Sequence, residues 1–172
     1  MRRKLNVKNS YLYIIEDASS VALPKDLEGR DKFPCLVPGN IETTVAEKEG
    51  ITDLYFGTNV LALCKYELCD FWYEIVFEND EEFDFITFDG VDVLAEYFLG
   101  GKNIGSSDNM FIPHSFDVSD CLKKGENTLF VHIKNPISFA SEKEYGAGLW
   151  SISDYNYESV YVRKAPHEYG WD

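Results

Sequence analysis

Apolar and polar residues alternate with a period of two along three stretches of the chain. In Trp72–Glu78, Tyr73, Ile75 and Phe77 share one face and Glu74, Val76 and Glu78 the other. In Val93–Leu99, Val93, Ala95, Tyr97 and Leu99 alternate with Glu96 and Phe98; in Thr128–Lys134, Leu129, Val131 and Ile133 oppose Thr128, His132 and Lys134. A strand turns successive side chains to opposite faces, so these stretches predict half-buried strands, with His132 on the solvent face. Tyr11–Ile15, Phe83–Phe88, Phe111–Val118 and Ser159–Arg163 are further strand candidates. Asp89-Gly90, Gly100-Gly101 and Lys124-Gly125-Glu126-Asn127 read as the turns between them, with glycines that tolerate positive φ.

One stretch reads as a helix, Ile41–Lys48, with Asn40 as N-cap after a Pro38-Gly39 turn and Gly50 as its stop. A single further turn is expected over Ser119–Leu122. Seven or more short strands with so little helix predict an all-β fold, an antiparallel β-sandwich with one short helix. No repeat, low-complexity tract or linker divides the sequence, so residues 1–172 read as a single domain.

Composition narrows the function. Phe, Tyr and Trp make up 15% of the chain, which suits a sandwich filled by large flat side chains. Thirty acidic against sixteen basic residues leave a formal charge of -14, a field that repels phosphate backbones and anionic lipids. Nucleic acid and membrane are therefore not expected as partners, whereas a neutral sugar is indifferent to that field. Cys35, Cys64, Cys69 and Cys121 lack a CxxC spacing and read as free, mostly buried thiols. Arg2, Arg3 and Lys4 are not followed by an apolar run, so no signal peptide is read and a cytoplasmic location is the expectation, with secretion open to a trimmed leader.

Several segments, taken in order, resemble the N-terminal sugar-binding domain of glycoside hydrolase family 2, and its β-mannosidase-like members most. They are Val37-Pro38-Gly39-Asn40, Leu54-Tyr55-Phe56-Gly57-Thr58-Asn59, Phe71-Trp72-Tyr73 with Phe77, Phe88-Asp89-Gly90-Val91-Asp92 with Ala95 and Leu99, Asp108-Asn109-Met110-Phe111-Ile112-Pro113 with Phe116-Asp117-Val118, and Gly125-Glu126-Asn127-Thr128-Leu129. Arg163-Lys164 and Gly170-Trp171-Asp172 resemble the family's "RK…GWDW" segment, and the sequence stops inside that motif. Gly100 stands where the family tends to have Asn, and Thr52-Asp53-Leu54 departs from its "DP". The resemblance implies a jelly-roll, galactose-binding-domain-like sandwich, non-catalytic in itself, that orients a β-mannoside or related β-glycoside and braces a catalytic barrel. Such a barrel needs roughly 250 residues and would lie elsewhere in a longer protein, a retaining hydrolase with a Glu acid/base and a Glu nucleophile.

On that resemblance the substrate-binding candidates are Trp171, whose indole face can pack on a pyranose, and Asp172, whose carboxylate can accept from sugar hydroxyls, with Asn59 as a second polar contact. Each also has a plainer reading: Trp171 as a core or interdomain aromatic, Asp172 as a solvated charge, Asn59 as a turn residue. Arg163 reads as pairing with an acidic neighbour rather than as catalytic. His114, His132 and His167 lack metal spacing, and the acidic run Glu78–Asp84 lacks the ligand pattern of a calcium loop, so neither metal nor cofactor is expected. No carboxylate pair suggests intrinsic catalysis. Two rival functions remain at this level: a self-standing carbohydrate-binding module, and a structural sandwich for protein–protein contact. Truncation before a closing strand would leave an open edge beside Ser159–Arg163 and favour self-association.

Overall fold

The computed structural model describes residues 3–81, 83–143 and 158–165. Among these residues the strands are β1 (Asn6–Ile15), β2 (Phe33–Pro34), β3 (Asp70–Asn79), β4 (Phe85–Phe88), β5 (Ala95–Leu99), β6 (Lys102–Ser107), β7 (His114–Asp117) and β8 (Gly125–Ile133). They form a six-stranded antiparallel sheet in the order β2-β1-β3-β8-β5-β6 and a two-stranded sheet, β4-β7. The chain is thus an all-β, antiparallel sandwich with a large and a small sheet.

The inner face of the large sheet carries the alternation seen in the sequence. Tyr73, Ile75 and Phe77 of β3, Leu129 and Val131 of β8, and Ala95, Tyr97 and Leu99 of β5 are buried together with Ile86 of the small sheet and Val118. Tyr73, Val131 and Tyr97 stand in one register row across the three strands, which makes the aromatic and β-branched contacts cross-strand neighbours. Helix α1 (Ile41–Lys48) adds Val45 to the same core.

That helix forms where local chemistry dictates. The Asn40 Oδ1 accepts from the Thr43 amide at 2.9 Å, and at the other end Gly50, with φ of 71°, lets Ile51 N–H reach Ala46 O while its own N–H reaches Glu47 O. Gly100 and Gly101, both at positive φ, make the two-residue reversal between β5 and β6. Cys121 and Leu122 amides both reach Val118 O, giving the single expected turn after β7.

Several expectations need correction. Ser159–Arg163 is not a strand: Glu158–Tyr161 is a helical turn, α3, and Arg163 forms only an isolated bridge to Asn109. A second helix, α2 (Pro136–Ser141), follows β8, and 3-10 turns cover Ala18–Ser20, Pro24–Leu27 and Asn59–Tyr66, so α1 is not the one helix. Asp89-Gly90 is no hairpin turn; it starts the passage from β4 in the small sheet to β5 in the large one, and Gly90 is not at positive φ. All four cysteines are unpaired, but Cys64 is exposed and only Cys69 is fully buried.

Candidate functional site

Three segments meet where the chain approaches its last residues: 89–94 between the sheets, 109–114 leading into β7, and 162–165. Gly90 permits the first two to approach, because a Cβ there would stand 3.3 Å from Met110 O. The 109–114 segment is folded on itself, with Asn109 Oδ1 accepting from Phe111 N at 2.9 Å and His114 Nε2 donating to Asn109 O at 2.9 Å. Met110 N then donates to Arg163 O at 3.1 Å, and Ala165 N donates to the Met110 thioether at 3.0 Å. Beneath them Val93, Leu94 and Val162 are buried together, with Met110 and Phe139 packed alongside.

Among the described residues it is Lys164 that makes an acidic pair, its Nζ lying 2.9 Å from Asp92 Oδ2, while Arg163 is exposed. Val162–Ala165 is thus anchored at both Met110 and Asp92; the candidates Trp171 and Asp172 lie outside the described residues, as does His167. Asn59 opens the 3-10 turn after residues 53–58, and its Nδ2 donates to Asp53 O at 2.6 Å, so its amide closes its own turn. Around it Tyr55, Phe56 and Leu61 are strongly exposed, at 76%, 73% and 62%. Such large apolar side chains on one short connection are unusual for a surface with no covering partner.

The second polar feature is one that sequence patterning placed on the wrong side. His132 is only 5% exposed. It belongs to a register row on the other face of the large sheet, Tyr13–Trp72–His132–Glu96, running across β1, β3, β8 and β5. This face is also covered: the 3-10 turns after β1 lay Val21 and Leu27 over Tyr13, Ile15, Trp72 and Phe98. The His132 and Trp72 rings stack at 4.2 Å and 9°, and His132 Nε2 lies 2.7 Å from Asp70 Oδ2. His132 Nδ1 is buried without a hydrogen bond, 3.5 Å from Glu96 Oε2, whose other oxygen accepts from Lys134 Nζ at 2.7 Å. On its face of β8, His132 lies between Phe130 and the polar Lys134, and one apolar neighbour is too little to show that a segment more than a hundred residues earlier will cover it.

A shallow groove of about 410 Å³, lined by Ile14, Glu16, Arg30, Phe33, Lys48 and Tyr66 among others, is formed by none of the segments 89–94, 109–114 and 162–165. Among the described residues no three of His, Cys, Asp and Glu group as metal ligands. Glu78 and Glu81 of the acidic run are instead paired with Lys8 and Arg3.

Residues 22–172 match the family model described as glycosyl hydrolase 2 galactose-binding domain-like. The chain is 26% identical over 157 residues to a β-mannosidase of Bos taurus, a match covering 84% of this chain and 18% of that protein. It is 29% identical over 143 residues to β-mannosidase B of Emericella nidulans, covering 79% of this chain and 17% of that one. In structure it superposes on the β-D-mannosidase of Dictyoglomus thermophilum with a TM-score of 0.72 and 28% identity, over 100% of this chain and 20% of that one. The chain thus spans about a fifth of the length of the relatives it matches.

Proposed function

Because the chain belongs to the glycosyl hydrolase 2 galactose-binding domain-like family, we propose that it serves as the non-catalytic, substrate-orienting domain of a longer β-mannosidase-like hydrolase. The observation that carries this reading is the pairing of a match over 84% of this chain with coverage of only 18% of a β-mannosidase. The catalytic barrel expected of such an enzyme would supply the retaining Glu pair, while this domain contributes one wall of the sugar site and braces the barrel.

Two features support that division of labour. Val162–Ala165 is held by Met110 and Asp92 on the approach to Trp171 and Asp172, the residues that the family resemblance assigns to the sugar. The exposed Tyr55, Phe56 and Leu61 give the domain an apolar ridge suited to a neighbouring domain. A sugar held from one side only leaves most of its surface in water, so isolated binding is weak.

The test is made in the longer protein with aryl β-mannosides. Asp172→Ala removes a charge-assisted acceptor and Asp172→Asn weakens it, with an expected loss of about 2–4 kcal/mol in kcat/KM for the alanine variant. The 172-residue chain alone is expected to hydrolyse nothing. Unchanged kinetics in both variants, or turnover by this chain, would refute the reading.

A further inference from the structure

The buried Asp70–His132 pair beneath the 3-10 turns has a connection to the Val162–Ala165 segment that core packing alone does not call for. We propose that Asp70, held by His132, is a positioning residue for the Val162–Ala165 segment, acting through Asn135 and α2. This rests on the reading that the segment leads into the sugar-contacting residues.

Asp70 is 5% exposed and has both oxygens engaged: Oδ2 with His132 Nε2 at 2.7 Å, and Oδ1 accepting from Asn135 N at 2.8 Å. A buried carboxylate is tolerated only while such partners remain, so the main chain at Asn135 is pinned to β3. The Asn135 side chain extends the constraint. Its Oδ1 caps α2 by accepting from Ser138 N at 2.7 Å, and its Nδ2 donates to Glu67 O, so two of the groups that fix the start of α2 sit on this residue.

From there the path is made of packing. Phe139 of α2 lies against Val93, Leu94 and Val162, α2 packs beside α3, and Val162 precedes Arg163, whose carbonyl receives the Met110 amide. His132 is in turn held between the two strands that flank β8. Trp72 of β3 stacks on its ring, Asp70 of β3 holds Nε2, Glu96 of β5 faces Nδ1, and Lys134 beyond β8 holds the other Glu96 oxygen. An apolar row would fill the same volume, but it would not define the height and rotation at which α2 begins. A polar network with directional partners does.

Native-state hydrogen exchange on the 172-residue chain reads this directly, comparing the Met110 amide, bonded to Arg163 O, with the amides of Leu12, Ile75 and Leu129 in the large sheet. Asp70→Asn weakens the buried pair. Asn135→Ala leaves that pair intact and removes the cap on Ser138 N together with the bond to Glu67 O, so it remains informative if the first variant does not fold. In each, protection at Met110 is expected to fall about five- to tenfold further than in the sheet, the scale of a lost cap. Equal losses at Met110 and in the sheet, or none at Met110, would make the pair a stability element only and overturn the proposal. In the longer protein, kcat/KM for aryl β-mannosides is expected to fall in Asn135→Ala as it does in Asp172→Asn. If the Asp172 variants impair turnover and Asn135→Ala does not, the positioning role fails while the functional reading stands; if neither Asp172→Asn nor Asp172→Ala has an effect, the functional reading fails and the positioning role for sugar with it.

Discussion

Met110 holds the Arg163 segment from two sides: its amide donates to Arg163 O at 3.1 Å, and its thioether accepts from Ala165 N at 3.0 Å. The side chain also packs on Val93, Leu94 and Val162. Met110→Ala is therefore expected to destabilise the chain by about 1–2 kcal/mol, below the range for a fully buried methionine because this one is partly exposed. Met110→Leu restores the volume but not the sulfur, and its cost should be smaller. Urea melts of the two variants measure the difference, and near-wild-type midpoints for both would mean that the main-chain bond holds the segment without help.

Gly105 lies under Phe116 where the two sheets meet. Its φ is 155°, and a Cβ would come within 2.3 Å of the Phe116 ring. The glycine follows a register shift in β6 opposite Tyr97 and Phe98, with its amide donating to Asn103 Oδ1 at 2.9 Å. Gly105→Ala is expected to cost about 1–3 kcal/mol through the displaced ring, before any backbone strain. Thermal unfolding gives the number; an unchanged Tm would show that Phe116 swings clear and that the sheets are not tightly packed there.

What could be read in the sequence was what local chemistry decides. Asn40, Thr43 and Gly50 specify α1 within a dozen residues, and its bounds follow; the alternation of Tyr73, Ile75 and Phe77 fixes the inner face of β3. His132 was misplaced because the cover over the outer face comes from Val21 and Leu27, which patterning within β8 cannot register. β6 was missed because Lys102-Asn103-Ile104-Gly105-Ser106-Ser107 is an edge strand with one large apolar residue; pairing with β5, not composition, makes it a strand. Ser159–Arg163 had the apolar content of a strand but too few residues to separate a period of two from a helical turn. Of the candidate site, the Arg163-Lys164 stretch was visible as a motif, whereas its anchors Met110 and Asp92 come from loops more than fifty residues away.

Burial raises the Tyr73 phenol above its ordinary 10.0, with Cys35 and Glu42 adding to the effect, and burial raises the Tyr97 phenol as well, against a lowering bond from Ser107. A phenol with a raised value in the folded state holds its proton more tightly there than in the unfolded chain. Its contribution is complete below the unfolded value and is lost as pH climbs through the folded one, so stability should decline from about pH 10 upward. Tyr73→Phe keeps the ring and removes the proton, so its alkaline decline should be shallower than that of the wild type. Parallel declines in denaturant melts across that range would assign alkaline unfolding to other groups.

The apolar ridge on the connection from α1 to β3 makes a prediction about the chain on its own. Tyr55, Phe56, Leu61 and Leu68 are all more than 60% exposed; Asn59 closes the turn that carries Tyr55 and Phe56, while Leu54 is buried and Leu63 and Tyr66 of the same connection pack on the core. The strand edge expected beside Ser159–Arg163 does not form, because Glu158–Tyr161 is a helical turn, so the self-association predicted here is through this ridge. The isolated chain should therefore associate as its concentration rises, with the combined Phe56→Ser and Leu61→Lys variant remaining monomeric. Neither side chain belongs to a buried cluster, so Tm should move little, surface changes of this kind costing within about 0.5 kcal/mol. Sedimentation that is equally monomeric for wild type and variant would show the ridge too small to drive association, and its role in bracing a neighbouring domain would then rest on polar contacts instead.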